Sequence, residues 1–432
     1  MRRLIAGISG LLATALALLA ALVFLGLREP SEPTNNASTF GAVVMPADAP
    51  VARGRYLALA GNCVACHTER GGAPYAGGRA IETPFGRVYG SNLTPDGANG
   101  IGAWSADDFW RALHHGKSKD GRLLYPAFPY PSFTRVTRTD ADALFAYLRT
   151  VAPVAQPNRA HELRFPWNQR ALLALWRGLY FRAGTQAQDL GRDAQWNRGA
   201  YLVQGLGHCS ACHTPRDGFG ASLLRADLTG GMIPMQDWYA PPLNATPGAG
   251  LGDWAVDEVV QLLKTGISMR GSVSGPMAEV VARSLQHLEP RDLRAMAIYL
   301  KAMPPAAPPA ASLEHGEEAA AILAAGAVLY ERHCKDCHGA DGRGMAPAYP
   351  PLAGNRSLIQ PSAANPIRVV LNGGFAPGTA GNPRPYGMPP YRPLLSDSET
   401  AAVVSYIRNA WGNRAALVSA REVDRFRAAP LD

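Results

Sequence analysis

The chain has 432 residues, 47% of them apolar and 18% charged, and it is rich in alanine, glycine and proline. This is an ordinary globular composition with room for two to four domains, weighted toward small domains with many turns. The formal net charge of +8 reads as a solvated basic surface, not a nucleic-acid interface. All six cysteines fall in Cys-x-x-Cys pairs, which leaves none for a disulfide or a thiol nucleophile.

In chain order, the first element is Met1-Arg2-Arg3 followed by 24 uncharged residues, Leu4 to Leu27. That run suits a helix crossing a hydrocarbon core about 30 Å thick. It exceeds the ~7–15-residue apolar region of a cleaved signal peptide. The A-x-A triplets at Ala13–Ala17 lie inside the run, not after it. Residues 1–27 therefore read first as a retained membrane anchor and second as a signal peptide. In either case Arg2 and Arg3 are expected in the cytoplasm and the bulk of the chain outside it.

Residues 28–45 read as a linker, with Pro, Ser and Asn and no clear period. The chain then repeats itself. GRYLALAGNCVACHT begins at Gly54, GAYLVQGLGHCSACHT at Gly199 and a shorter GAVLYERHCKDCHG at Gly326. Each repeat closes on a segment of helical apolar spacing: ALFAYLRTV, AMAIYLKAM and VVSYIRNAW, with Tyr147, Tyr299 and Tyr406 in register. Ser396 followed by Glu399 predicts a capping box for the last of these. The first two repeats also share a middle element, with Trp104 matching Trp254.

The expected fold is mainly α, with three tandem domains at 46–152, 194–303 and 314–413. Residues 304–313 form a second linker and 414–432 a C-terminal tail. The segment 153–193 is basic and aromatic. Its residues Trp167, Trp176, Tyr180 and Phe181 are expected to pack between the first two domains, the alternative being a membrane-surface helix.

The chemistry lies in three motifs, CVACH at 63–67, CSACH at 209–213 and CKDCH at 334–338. C-x-x-C-H is the attachment signature of c-type haem. Two thiols on one turn can reach both vinyl groups of one porphyrin, and the adjacent histidine lies under the iron. Zinc sites and thioredoxin-like motifs also use C-x-x-C. The pairs here are 146 and 125 residues apart, too far in sequence for a compact four-cysteine zinc site, and βαβ patterning is absent. The reading is three covalent haems c, bound by Cys63, Cys66 and His67, by Cys209, Cys212 and His213, and by Cys334, Cys337 and His338. Their propionates would offset most of the basic excess.

A methionine sulfur commonly completes the iron coordination in electron carriers. Met277, 64 residues after His213, and Met388, 50 residues after His338, are the expected distal ligands, each beside a proline. In the first repeat Phe128 stands where Met277 would align, and phenylalanine cannot bind iron. That haem is either five-coordinate or ligated from elsewhere, by His114, His115 or Met45. The two histidines are expected on the solvent face of a helix. His161, His208, His287, His315 and His333 read as structural or surface residues.

Several stretches beyond the haem motifs carry a resemblance: TPFGRVYGSNLTPDGANGIGAW (83–104), PNRAHELRFPWNQR (157–170), GLGHCSACHTPR (205–216), GPMAEVV (275–281), PIRVVLNGG (366–374) and YGMPPY (386–391). With these the chain resembles, from about residue 50 to 413, the triheme cytochrome c subunits of bacterial membrane-bound dehydrogenases, the alcohol and gluconate dehydrogenases among them.

The resemblance implies an electron-transfer subunit at the periplasmic side of the inner membrane. It would accept electrons from a catalytic subunit (a quinoprotein, flavoprotein or molybdoprotein) and pass them to ubiquinone. It also implies the nine Cys and His residues above as haem-binding, and Met277 and Met388 as distal ligands. Phe128 departs from the alcohol dehydrogenase pattern, where P-A-M-P-Y is expected, and leaves the partner and the route through the first haem open. No G-x-G-x-x-G fingerprint appears, so substrate oxidation is assigned to another subunit. Two other readings stand beside this one: a haem enzyme using an open first haem for peroxide or gas chemistry, and a free-standing membrane-tethered shuttle.

Overall fold

The computed structural model describes residues 2–29, 50–306 and 316–428. Most of both expected linkers, Met45 and His315 lie outside the described residues. The described chain is largely helical, with only short antiparallel strands. It divides into two compact units. One comprises residues 1–194 with 204–208, the other 195–203 with 209–432.

The same helix crossing occurs in all three repeats. In the first, the opening helix Pro50–Ala60 packs on the closing helix Arg138–Leu148. Gly54 permits this, because a Cβ there would overlap the Ala143 carbonyl and press on the Tyr147 Cβ. Gly199 stands in the same relation to Ala295 and Tyr299, and Gly326 to Ala402 and Tyr406. Backbone contact this close is open only to glycine on one side. The register of Tyr147, Tyr299 and Tyr406 in the sequence therefore marks a single packing geometry used three times.

Beside the glycine in two of the repeats sits an ion pair, partly buried in the first and buried in the second. Arg53 reaches Asp140 in the first. In the second, Arg198 forks onto Asp292 at 3.0 and 2.7 Å, with both side chains almost fully buried. The third repeat has Ala325 at that position. It is closed instead by the apolar contacts of helices Glu317–His333 and Asp397–Ile407, including Tyr330, Val403, Val404 and Ile407. Its last helix starts with the predicted capping box: Ser396 Oγ accepts from Glu399 N, and the Glu399 carboxylate accepts from Ser396 N. The tail adds a helix, Ala420–Ala428, which buries Val423 and Phe426 against the same cluster.

The N-terminal helix spans Arg2–Leu27, and its Gly7–Leu27 stretch has a mean hydropathy of 2.5. By length and composition it can cross a membrane, and Leu11, Leu12, Leu16 and Phe24 are exposed. Its C-terminal end is docked on helix Ala171–Tyr180 of the connecting segment. Gly26 lies against the Ala174 carbonyl and Gly178 against the Leu22 carbonyl, so neither position has room for a Cβ. The aromatics of 153–193 pack within the first unit: Trp167 on Phe85 at 4.7 Å, and Trp176 and Phe181 on Tyr130. The segment thus tethers the apolar helix, a role its sequence did not suggest.

Candidate haem sites

Each Cys pair sits on or caps a single helical turn that follows the opening helix of its repeat: Cys63–Cys66, Ser210–His213 with Cys209 as its N-cap, and Lys335–His338 with Cys334 as its N-cap. The turn is closed by the histidine. His67 N donates to Cys63 O at 3.1 Å, His213 N to Cys209 O at 3.0 Å and His338 N to Cys334 O at 3.0 Å. None of the six cysteines is in a disulfide. Burial pushes Cys63 and Cys209 up to about 12 and Cys334 to about 11, each assisted by its neighbouring cysteine. Among the described residues no three His, Cys, Asp or Glu side chains cluster to hold a metal ion.

The histidines share a second feature. Nδ1 of His67 lies 2.7 Å from Ser91 O, that of His213 2.7 Å from Pro241 O, and that of His338 3.0 Å from Pro350 O. A carbonyl can only accept, so Nδ1 carries the proton and Nε2 keeps its lone pair for a metal. Burial lowers the pKa of all three rings, His213 to about 4, which keeps them neutral. These carbonyls escaped the sequence reading. Their signal is a Leu two residues further on, at Leu93, Leu243 and Leu352, with Asn92 and Asn244 bracing Thr94 and Thr246 in the first two repeats.

In the third repeat Cys334, Cys337 and His338 line a cavity of about 590 Å³, with Met388 on its wall. Met388 lies in a two-residue strand, Gly387–Met388, paired with Gly374–Phe375. In the second repeat Cys212, His213 and Met277 line a smaller cavity of about 120 Å³. Met277 sits in the first turn of helix Pro276–Arg283, directly after the proline that opens it. The two cavities share walls at Trp238, Ser272, Val273, Ser274, Asn355 and Asn365.

The first repeat differs. Phe128 packs on Phe133 at 5.3 Å. His114 and His115 do not face solvent as expected: they are 0% and 9% exposed. Trp110 stacks on His114 at 4.3 Å, and the two histidine rings meet edge to face. Burial, with His114 beside it, lowers His115 to about 4. Of the remaining histidines, His161 accepts from Tyr89 N at 3.2 Å and half-buried His208 bonds Leu206 O at 2.8 Å.

Two cysteines outside any disulfide on one turn, a histidine with Nε2 available and an adjoining cavity fit a covalently attached haem. The Cytochrome c family pattern matches residues 51–152 and 323–411. Over 409 residues the chain is 41% identical to the alcohol dehydrogenase (quinone) cytochrome c subunit of Gluconobacter oxydans, covering 90% of this chain and 85% of that one. It is 40% identical over 396 residues to the gluconate 2-dehydrogenase cytochrome c subunit of Pantoea cypripedii, covering 88% and 90%. The chain belongs to the dehydrogenase cytochrome c subunit family.

A nicotinate dehydrogenase polypeptide of Pseudomonas putida is 43% identical over 365 residues, which are 83% of this cytochrome subunit but 30% of that larger protein. Membership carries covalent haem c and electron transfer with it.

Proposed function

We propose that this cytochrome c subunit carries three haems, one on each motif, and relays electrons from a catalytic dehydrogenase subunit to ubiquinone at the periplasmic face of the inner membrane. The observation that carries the reading is the threefold recurrence of one arrangement: a Cys pair on one helical turn, followed by a histidine whose Nδ1 meets a backbone carbonyl. Met277 and Met388, on the walls of the second and third cavities, are the proposed distal ligands. The haem supplies one-electron redox chemistry. The protein attaches it, fixes the histidine tautomer, walls off water and sets the spacing. The shared wall of the second and third cavities supports direct transfer between those two haems. The apolar helix Arg2–Leu27 supports membrane attachment. The dehydrogenase partners named for the relatives support a catalytic subunit carrying a quinone, flavin or molybdenum cofactor.

The test is purification from native membranes in mild detergent, with haem counted per chain and co-purifying subunits identified by mass and cofactor. Three haems per chain and a large cofactor-bearing subunit are expected, with substrate-dependent reduction of a ubiquinone analogue. A solitary chain would replace this reading with the tethered shuttle. Fewer than three haems would overturn the count.

Phe128 favours a second reading for the first haem alone. A site without methionine is either open to small ligands or closed by one of the buried histidines, His114 or His115.

A further inference from the structure

The geometry points to Arg356, carried by the third repeat, as the counter-charge for a propionate of the haem held by Cys209, Cys212 and His213 in the second. The inference rests on the proposal that the second motif bears a haem.

Arg356 is 9% exposed and lines the same cavity as Cys212, His213 and Met277. One guanidinium nitrogen donates to Pro242 O at 2.9 Å, and the group lies 5.0 Å from the centre of the Trp254 ring. Neither partner carries a full negative charge. Among the described residues no carboxylate lies within ion-pair distance of it. Asp253 acts on it only at longer range, and Asp253 is itself paired with Arg270 at 3.2 Å. Arg270, the other arginine on this cavity, is committed to Asp253 and to Glu258 at 3.0 Å.

Burial lowers the Arg356 pKa to about 10, which still leaves it protonated at neutral pH. A buried cation with no anion is costly unless something supplies one. A haem c brings two carboxylates into this cavity.

The position of Arg356 is built, not incidental. His213 bonds Pro241 O and Arg356 bonds the next carbonyl, Pro242 O, so a two-residue stretch fixes both the axial histidine and the guanidinium. The Arg356 backbone is held in turn by Gln360, whose Nε2 donates to Arg356 O at 2.7 Å and to Ala249 O at 3.2 Å. Asn355 beside it bonds Pro351 O and Ser357 N. The second haem pocket is therefore completed by a residue that follows the third haem motif. A fixed cation beside one haem favours its reduced state, so this contact sets how an electron is shared between the two neighbouring haems.

The test uses the full-length holoprotein. Mass analysis of the peptide containing Cys209–His213 first shows whether haem is attached there, and its absence would fail the underlying reading. With haem in place, Arg356→Gln is titrated by spectroelectrochemistry. The wave of the second haem is assigned as the one displaced in Met277→His. Arg356→Gln should shift that wave alone to lower potential, by about tenfold in its electron-sharing ratio, or ~59 mV for a one-electron couple. Arg356→Lys should restore most of the loss.

An unshifted second wave, an equal shift of all three, or a lysine variant as low as the glutamine one would overturn the inference. Should Arg356→Gln not accumulate, redox-difference infrared spectra of Arg356→Lys decide. A moved haem-propionate carboxylate band is expected, and an unchanged band counts against the contact.

Discussion

The side-chain amide of Asn365 pairs with both backbone groups of Tyr239: Tyr239 N donates to Asn365 Oδ1 at 2.9 Å, and Asn365 Nδ2 donates to Tyr239 O at 2.8 Å. One residue of helix Ala364–Asn372 thus acts as a strand partner for Trp238–Ala240, and clips the third repeat to the second where their cavities meet. Asn365→Leu strips both bonds and leaves buried backbone groups unpaired, a cost of about 1–3 kcal/mol each when unrelieved. Thermal unfolding of the holoprotein should show a lower midpoint. Asn365→Asp should be intermediate, since it keeps the acceptor and sets oxygen against oxygen at the Tyr239 carbonyl.

Asp292→Ala should be among the most damaging substitutions away from the haems. It would take the carboxylate from a buried arginine between crossing helices, at about 3–5 kcal/mol. Asp140→Ala should cost less, because Arg53 is a quarter exposed and can turn to water. Denaturant titration of the two variants gives the order, and equal losses would contradict it.

Ser396→Ala removes the cap of helix Asp397–Ile407 and should destabilise by about 1 kcal/mol at neutral pH. Hydrogen bonds from Ser396 hold the Glu399 carboxyl below its ordinary value. A carboxyl depressed on folding stabilises the native state above its unfolded pKa, near 4.3. That contribution fades as pH falls through the folded value. The gap between wild type and Ser396→Ala should therefore narrow below about pH 4, as melting curves across pH would show.

Phe128→Met tests the odd site. If the first haem lacks a strong sixth ligand, the variant should gain a methionine-to-iron charge-transfer band, and reduced wild type should bind carbon monoxide at one haem of three. If a buried histidine closes the site, neither change appears.

What was legible in the sequence was whatever the haem and the helix crossing demand locally. The C-x-x-C-H runs and the Ser396 box are short-range patterns, and the Gly and Tyr registers are visible because they recur three times. The tether role of helix Ala171–Tyr180 was not legible, because an amphipathic aromatic stretch does not name its partner. Burial of His114 and His115 was missed for a similar reason: besides Trp110 on their own helix, their neighbours include Thr134 and Arg177, which lie further along the chain. Nothing in the sequence marks Arg356, since Pro242 and Trp254 beside it come from about a hundred positions earlier.

Arg177 is 1% exposed and donates to Gly26 O at 2.7 Å and to His115 O at 2.6 Å. Lys117 adds a bond to Leu27 O at 2.8 Å. The last turn of the apolar helix is therefore masonry of the first unit. A peptidase cut that removed residues 1–27 would strip a buried guanidinium of an acceptor and uncover the faces of Ala174 and Gly178. The intact mass of the mature subunit is therefore expected to include Arg2 and Arg3, and a mass lacking residues 1–27 would count against this role of the helix.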